Sequence, residues 1–248
     1  MNIKKSEYVL ITGSTSDIGS AICHLISKHS NILIHARDRS KALELQKKII
    51  SKYDIKIWIH DFHNTTGIES SLGKFLESES ILISSLIHCS ATLKILPIKN
   101  FRIDYYEEIF KVNFFSSIEI LKVILKKSNL QSMKSVLYIS ALYSKFGSKG
   151  NSIYAASKGA IDSFIKSLAI EVAPVRVNSI LPGAIETQMT KHFFEDPKFV
   201  NNFNSRYLLG RGFPEDVAEL VDFLISEKAK WITGQSILID GGASICLT

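Results

Sequence analysis

The sequence predicts an α/β fold built as a doubly wound, seven-stranded parallel sheet with helices on both faces. Short apolar runs alternate with stretches of helical periodicity along the whole chain, which is typical of strands joined by crossover helices. The runs are apolar on consecutive residues, as expected of strands buried on both faces. Because the alternation is uninterrupted over 248 residues, without a repeat or a linker, we expect one domain spanning residues 1–248.

Apolar runs place the strands, and apolar residues at helical spacing place the helices. The predicted strands are Tyr8–Thr12, Ile32–Ala36, Lys56–His60, Leu82–Cys89, Ser135–Ile139, Arg176–Leu181 and Ser236–Asp240. The predicted helices are Ile18–Lys28, Lys41–Lys52, Tyr105–Lys127, Ser152–Glu171 and Pro214–Ser226.

Composition excludes several classes of protein. Three scattered cysteines without metal-ligand spacing predict no metal site and indicate a reducing cytoplasm. No apolar run approaches the roughly 18 residues that a membrane span needs, so no membrane partner is expected. The net charge of +6 comes from lysines spread along the chain, which indicates a solvated surface rather than a nucleic-acid site.

A glycine-containing turn follows the first predicted strand and leads into a helix. Such a turn directs backbone N–H groups and the positive end of the helix toward a pyrophosphate, as in Rossmann-like dinucleotide sites. Gly13 would permit the tight turn and Gly19 the close approach of helix and strand. Asp17 is expected to cap the helix. The residues predicted to hold the cofactor here are Gly13, Ser14, Thr15, Ser16, Asp17, Ile18 and Gly19.

The end of the second strand bears on the choice of cofactor. NAD-binding folds place an acidic residue near this point for the ribose hydroxyls, but the strand ends at Ala36. Arg37 follows and is suited to pair with a 2′-phosphate, so NADP(H) is preferred and NAD(H) is the alternative. Arg37 is also consistent with a solvated loop arginine, and the neighbouring Asp38 weakens the pattern.

Further motifs follow in a fixed order along the chain. They are Asp61-Phe62, His88-Cys89-Ser90-Ala91, Asn113, Tyr154-Ala155-Ala156-Ser157-Lys158, Pro182-Gly183 followed by Thr187-Gln188-Met189, and Gly241-Gly242. Together with the first turn they resemble the short-chain dehydrogenase/reductase family over essentially the whole chain.

The resemblance implies roles for these residues. Asp61 and Phe62 would contact the adenine. Thr187 would bind the nicotinamide carboxamide, and Asn113 would anchor a water that leads from Lys158 to solvent. The remaining cofactor contacts that it implies are Cys89, Ser90, Ala91, Tyr154, Lys158, Pro182, Gly183 and Ile185.

Tyr154 and Lys158 lie four residues apart, so they share one face of a helix. A free tyrosine has a pKa near 10, and a neighbouring ammonium favours the phenolate. We therefore expect a lowered pKa for Tyr154 and proton transfer between its hydroxyl and a carbonyl or alcohol oxygen. The sequence thus predicts an oxidoreductase acting on a small carbonyl or alcohol substrate.

Three places depart from the family pattern: Asp17 stands where the family's turn has its middle glycine, His88-Cys89-Ser90-Ala91 lacks the family's two asparagines, and the serine position differs. The family's serine normally lies thirteen residues before the tyrosine, where this chain has Ala141. Three hypotheses account for it: a deliberate Ser→Ala change that traps a substrate complex, use of Ser140 or Ser144 as a substitute, or a catalytically silent dinucleotide-binding or regulatory protein. Losing one such donor costs on the order of 100–1,000-fold in rate, so Ala141→Ser is expected to restore that factor.

Residues 187–213 resemble the family's mobile substrate lid. Its aromatic and basic residues, which include Lys191, His192, Phe193, Phe194, Phe199, Phe203, Arg206 and Tyr207, suggest a polar or sugar-type substrate, or else pack against one another. The helices Tyr105–Lys127 and Ser152–Glu171 resemble the family's subunit interface, which predicts a homodimer or homotetramer.

Overall fold

A computed structural model describes residues 6–188, 190–195 and 197–246. Seven parallel strands form one sheet in the order β3-β2-β1-β4-β5-β6-β7. The strands are β1 Ser6–Thr12, β2 Ile32–Ala36, β3 Ile55–Ile59, β4 Ile81–His88, β5 Ser135–Ile139, β6 Arg176–Pro182 and β7 Ser236–Ile239. The predicted doubly wound sheet and all seven predicted strands are confirmed.

The helices cover both faces of the sheet. They are α1 Asp17–Ile26, α2 Arg39–Lys48, α3 Ile68–Ser78, α4 Ile103–Phe110, α5 Ser116–Ile124, α6 Lys127–Leu130, α7 Ser152–Glu171, α8 Lys191–Phe194, α9 Pro197–Arg206 and α10 Pro214–Ile225. Among the described residues, no helix is long and apolar enough to cross a membrane.

Alternate strand residues belong to two different hydrophobic cores. Leu10 and Leu86 pack on one face, beneath α3, α5 and α7. Ile11 and Ile87 pack on the other face, beneath α1, α2 and α10. Side chains that alternate in this way require each strand to be apolar throughout, which is the pattern that made the strands recognisable in the sequence.

One predicted helix is interrupted, and one helix was missed. The predicted helix Tyr105–Lys127 begins earlier, at Ile103, and is interrupted by a π-helical turn at Lys111–Phe115 that separates α4 from α5. Helix α3 was not predicted, although Ile68, Leu72 and Leu76 recur at helical spacing and are buried.

The predicted helix Lys41–Lys52 begins two residues earlier than expected, at Arg39. Asp38 accepts hydrogen bonds from the backbone N–H groups of Ser40 and Lys41 and so caps α2. The helix also ends early, at Lys48, because Ile49 adopts an extended conformation.

The strand order reverses between β1 and β4. Strand β1 pairs with both β2 and β4, so the loops that follow β1 and β4 leave on opposite faces. Ligands of open α/β sheets bind in the crevice at such a switch point, outside the carboxyl ends of the strands. This crevice is therefore where functional side chains are expected to meet.

Candidate active site

The turn after β1 is shaped by two glycines. Gly13 has a φ of 63°, and a Cβ there would lie 2.8 Å from Cα of Ser90. A Cβ on Gly19 would lie 2.2 Å from the carbonyl oxygen of Gly13. Both positions therefore require glycine, as predicted, and together they leave a side-chain-free cradle at the N-terminus of α1.

Ser16, and not Asp17, caps helix α1. The Ser16 hydroxyl accepts a hydrogen bond from the backbone N–H of Gly19 at 3.1 Å. The predicted capping role of Asp17 is therefore wrong. Asp17 occupies the first helical position, and its carboxylate accepts a hydrogen bond from the backbone N–H of Gln188 at 2.6 Å. Asp17 thus joins the cofactor turn to the segment that follows β6.

His35, for which no role was predicted, supports the same turn from β2. Its Nδ1 accepts a hydrogen bond from the Gly13 N–H at 3.3 Å, and its Nε2 donates to the carbonyl of His60 at 3.0 Å. Burial lowers the pKa of His35 to about 3, so the imidazole is neutral. Its ring stacks on Phe62 with 4.0 Å between the ring centroids. Phe62, predicted to contact adenine, is only 4% exposed.

The loop after β2 leaves Arg37 exposed and Asp38 engaged. Asp38 caps α2, and its carboxylate accepts a hydrogen bond from the backbone N–H of Ser40. Asp61 lies within electrostatic reach of Arg37. Burial acts to raise the pKa of Asp61, but the hydrogen bonds from His63 and the charge of Arg37 leave it lowered overall. The exposed guanidinium of Arg37 is suited to a phosphate.

Helix α7 carries Tyr154 and Lys158. Lys158 is 1% exposed, and its Nζ lies 5.7 Å from the centroid of the Tyr154 ring. Nζ donates a hydrogen bond to the carbonyl of Ile139 at 2.7 Å, at the end of β5. Burial lowers the pKa of Lys158 to about 8. The two side chains meet as predicted.

The predicted direction of the Tyr154 pKa is wrong. Burial raises this pKa, with a further contribution from Cys89. The reason is that the surrounding protein removes part of the water around the phenol, while the Lys158 ammonium is hydrogen-bonded to the carbonyl of Ile139. Tyr154 is therefore a neutral proton donor in this structure.

Cys89 links the α7 pair to the cofactor turn. Its Sγ lies 3.9 Å from the hydroxyl of Ser16. If the thiol were ionised, the negative charge of the thiolate would raise the pKa of both Tyr154 and Lys158. Burial raises the pKa of Cys89 to about 11, so it is a neutral thiol and not a nucleophile. The cofactor turn and the proton donor thus face the same crevice.

Asn113 lies in the π-helical turn and is fully buried. Its Oδ1 accepts from the N–H of Thr92 at 2.7 Å, and its Nδ2 donates to the carbonyl of Thr92 and the hydroxyl of Ser157, each at 3.0 Å. The side chain therefore ties the loop after β4 to α7. π-Helical turns of this kind occur frequently at functional sites.

The turn after β5 contains no serine directed at the crevice. Ser140 is 4% exposed, and its hydroxyl donates to the carbonyl of Lys158 at 3.3 Å. Ser144 donates to the carbonyl of Ala141 at 2.8 Å and to the carboxylate of Asp162. Neither serine lies where a substitute donor is needed, contrary to the prediction for Ser140.

The segment after β6 closes one side of the crevice. A Cβ on Gly183 would lie 2.9 Å from both Asp240 and Tyr207, so the chain passes tightly beneath the C-terminal loop. The Tyr207 hydroxyl accepts from the Ala184 N–H at 2.9 Å. Thr187 contacts Thr190 through its hydroxyl at 3.0 Å.

The predicted lid contains α8 and α9. Residues 189 and 196, and the side chains at positions 192, 193, 198, 199, 202 and 204, lie outside the described part of the chain. Phe203 packs edge-on against Phe194 at 5.2 Å between ring centroids, and it stacks on Tyr207 at 4.1 Å. These described aromatic residues therefore pack against one another.

Comparison with known proteins identifies related sequences along nearly the whole chain. The chain matches the family described as Enoyl-(Acyl carrier protein) reductase over residues 12–244. It is 34% identical over 251 residues to the 3-oxoacyl-(acyl-carrier-protein) reductase FabG of Aquifex aeolicus (strain VF5), covering 98% of this chain and 99% of the relative.

Solved structures show the same fold. A 4-hydroxyisoleucine dehydrogenase complexed with NADH superposes with a TM-score of 0.88 at 24% identity, over 96% of this chain and 99% of that chain. The L-sorbose reductase from Gluconobacter frateurii complexed with NADPH gives 0.84 at 21% identity, over 96% and 97%. The sequence matches show that the chain belongs to the short-chain dehydrogenase/reductase family of oxidoreductases.

Proposed function

We propose that this protein interconverts a carbonyl group and a secondary alcohol by hydride transfer with a nicotinamide dinucleotide. The observation that carries the proposal is the pair of half-buried Tyr154 and buried Lys158 in the same crevice as the glycine cradle of Gly13 and Gly19. The 34% identity to a 3-oxoacyl reductase supports a 3-oxoacyl thioester as the first substrate class.

The cradle fits the pyrophosphate of a dinucleotide. The two glycines leave room for a close approach, and the N-terminus of α1 favours negative charge. The bound cofactor would supply or accept the hydride at its nicotinamide ring. Thr187, on the segment after β6, would hold the nicotinamide end.

NADP(H) is the proposed cofactor. Arg37 is exposed at the end of β2, while Asp38, the acidic neighbour that weakened the sequence pattern, is engaged as the cap of α2. A 2′-phosphate would therefore meet a free guanidinium rather than an ion pair with Asp38.

The chain's own residues handle the proton. In the direction of reduction, neutral Tyr154 donates its proton to the carbonyl oxygen as the hydride reaches the carbonyl carbon. Lys158 is charged below its pKa of about 8, and its positive charge stabilises the phenolate that forms. Lys158 is buried and Tyr154 is half-buried, which limits competition from bulk water as a proton donor.

A sugar-type substrate is the second candidate. The basic and aromatic residues of the lid favour it, but Phe194 and Phe203 are 9% and 3% exposed and pack against each other. Little of their surface is left for stacking on a sugar ring, so the thioester is tested first.

The decisive assay is oxidation of NADPH at 340 nm with an acetoacetyl thioester, followed by a panel of ketones and sugars. We expect turnover with the thioester. The alternative, a silent dinucleotide-binding protein, is favoured only by Ala141. It predicts NADPH binding in fluorescence titration without oxidation by any member of the panel, even after Ala141→Ser.

The proposal extends to assembly as a homodimer or homotetramer through α4, α5 and α7. Phe115 on the turn before α5 is 45% exposed and Ile170 near the end of α7 is 82% exposed, so apolar surface remains for a second copy. Light scattering at micromolar concentration should give the mass of two or four chains; the mass of one chain would contradict this.

A further inference from the structure

The turn after β5 lacks a donor at the position where the family has serine. Ala141 presents a methyl group, and the hydroxyls of Ser140 and Ser144 are both engaged with the protein. Tyr143 lies on the same turn, in the short 3-10 helix Leu142–Ser144 that follows Ala141. Its side chain is 37% exposed, and within the described residues its hydroxyl has no hydrogen-bond partner.

Tyr143 lies on a turn that packs against α7, the helix that carries the proton donor. Burial raises the pKa of Tyr154 and of Tyr207, and the charge of an ionised Tyr143 adds to both effects, so the three phenols lie near one another. Tyr207 is fixed from the side of β6 by the Ala184 N–H. The turn that carries Tyr143 packs against α7 and β6, the elements that carry Tyr154 and lead to Tyr207.

We propose that the Tyr143 hydroxyl donates to the substrate carbonyl oxygen the hydrogen bond that a serine at position 141 would donate. A phenol extends several ångströms further than a serine hydroxyl, which compensates for its place two residues along the turn. The phenol is also a stronger donor than an aliphatic alcohol because its proton is more acidic.

Tyr143 is not consumed in the reaction, because the hydride and the proton that reduce the carbonyl come from other groups. The dinucleotide would supply the hydride to the carbonyl carbon, and the proton of Tyr154 goes to the oxygen as the C=O π bond breaks. Tyr143 keeps its proton and stabilises the negative charge that develops on that oxygen. This inference rests on the proposed carbonyl reduction and assigns the group that completes its site.

The test is a four-membered cycle of Ala141→Ser and Tyr143→Phe, assayed with NADPH and an acetoacetyl thioester. In the original chain, Tyr143→Phe should lower kcat by about 100-fold, the effect of removing one such donor. In the Ala141→Ser background the same change should cost less than about fivefold, because the serine then supplies the bond. Ala141→Ser alone should gain less than about tenfold, well below the factor expected if the donor were missing.

The controls separate this role from folding and from cofactor binding. NADPH affinity, measured by fluorescence, should be equal in all four chains. Tyr53→Phe is the matched control: Tyr53 is half-buried and lies just before β3, at the amino edge of the sheet, so its loss should leave kcat unchanged.

The outcomes are distinguishable. A loss in the original chain that the serine rescues supports the inference. Turnover that Tyr143→Phe leaves unchanged, or lowers equally in both backgrounds, overturns the role of Tyr143 and leaves carbonyl reduction standing. No turnover in either background, with the thioester or the wider panel, overturns the proposed function and this inference together.

Discussion

Two turns at the carboxyl edge of the sheet each depart from the family pattern at one residue, with opposite physical consequences. After β1, Asp17 adds a carboxylate, which finds a partner in the Gln188 N–H. After β5, Ala141 removes a hydroxyl, and no neighbouring serine replaces it in the crevice. The turn after β1 acts through backbone groups, so it accommodates a changed side chain. The turn after β5 acts through a side chain, so its loss requires a donor from another residue.

The largest expected effect is at Tyr154, which lies in the crevice beside both turns. Tyr154→Phe removes the proton donor and should lower kcat by about 100- to 10,000-fold, since that is the usual range for a general acid. NADPH affinity should stay within about twofold, because the phenol acts mainly in the transition state. Stopped-flow assays and fluorescence titration measure the two quantities. Activity equal to that of the original chain would exclude the mechanism.

The pH dependence of reduction tests the buried ammonium. Burial lowers the pKa of Lys158 to about 8, so the side chain is charged below that pH and neutral above it. The rate of reduction should therefore be constant below about pH 8 and fall about tenfold per pH unit above it. A rate of reduction that stays constant from about pH 7 to about pH 10 would show that the charge of Lys158 is not required.

A smaller effect is expected at Arg37, in the loop after β2. Arg37→Ala should weaken NADPH binding by about tenfold, the equivalent of one charge-assisted contact to an exposed phosphate. NADH affinity is the internal control and should not change, because NADH lacks the 2′-phosphate. Equal affinities for the two cofactors in the original chain would remove the basis for the NADP preference.

The smallest effect tests the added carboxylate directly. Asp17→Asn keeps an oxygen that can accept from the Gln188 N–H but removes the negative charge beside the cradle. NADPH binding should strengthen by about two- to fivefold, since like charges near a pyrophosphate repel. Glu171→Gln removes a charge at the exposed end of α7 and should have no effect. A weaker NADPH affinity in Asp17→Asn would mean that the carboxylate helps to shape the site.

The sequence predicted the parts of this molecule that follow from local pattern. Apolar runs gave all seven strands, and the glycines at 13 and 19 were assigned correctly because close backbone contacts exclude a side chain there. Tyr154 and Lys158 were expected to meet, and they share one face of α7.

What the sequence could not give depends on contacts between distant residues. The partner of Asp17 is 171 positions away, and the inward rotation of Ser140 depends on the packing of α7 against β5. The π-helical turn around Asn113 also has no local sequence signal. The pKa of Tyr154 was misjudged because helical spacing describes its distance from Lys158 but not its burial or the bond from Lys158 to Ile139.

The central claim, hydride transfer to a carbonyl beside Tyr154, is tested most directly by isotope transfer. The chain is incubated with NADPH carrying deuterium at C4 and an acetoacetyl thioester, and the product is examined by mass spectrometry. We expect a 3-hydroxy thioester that carries one deuterium on the new alcohol carbon, from one of the two C4-deuterated epimers only. A 3-hydroxy product without deuterium from either epimer, or no product at all while NADPH remains bound, would contradict it.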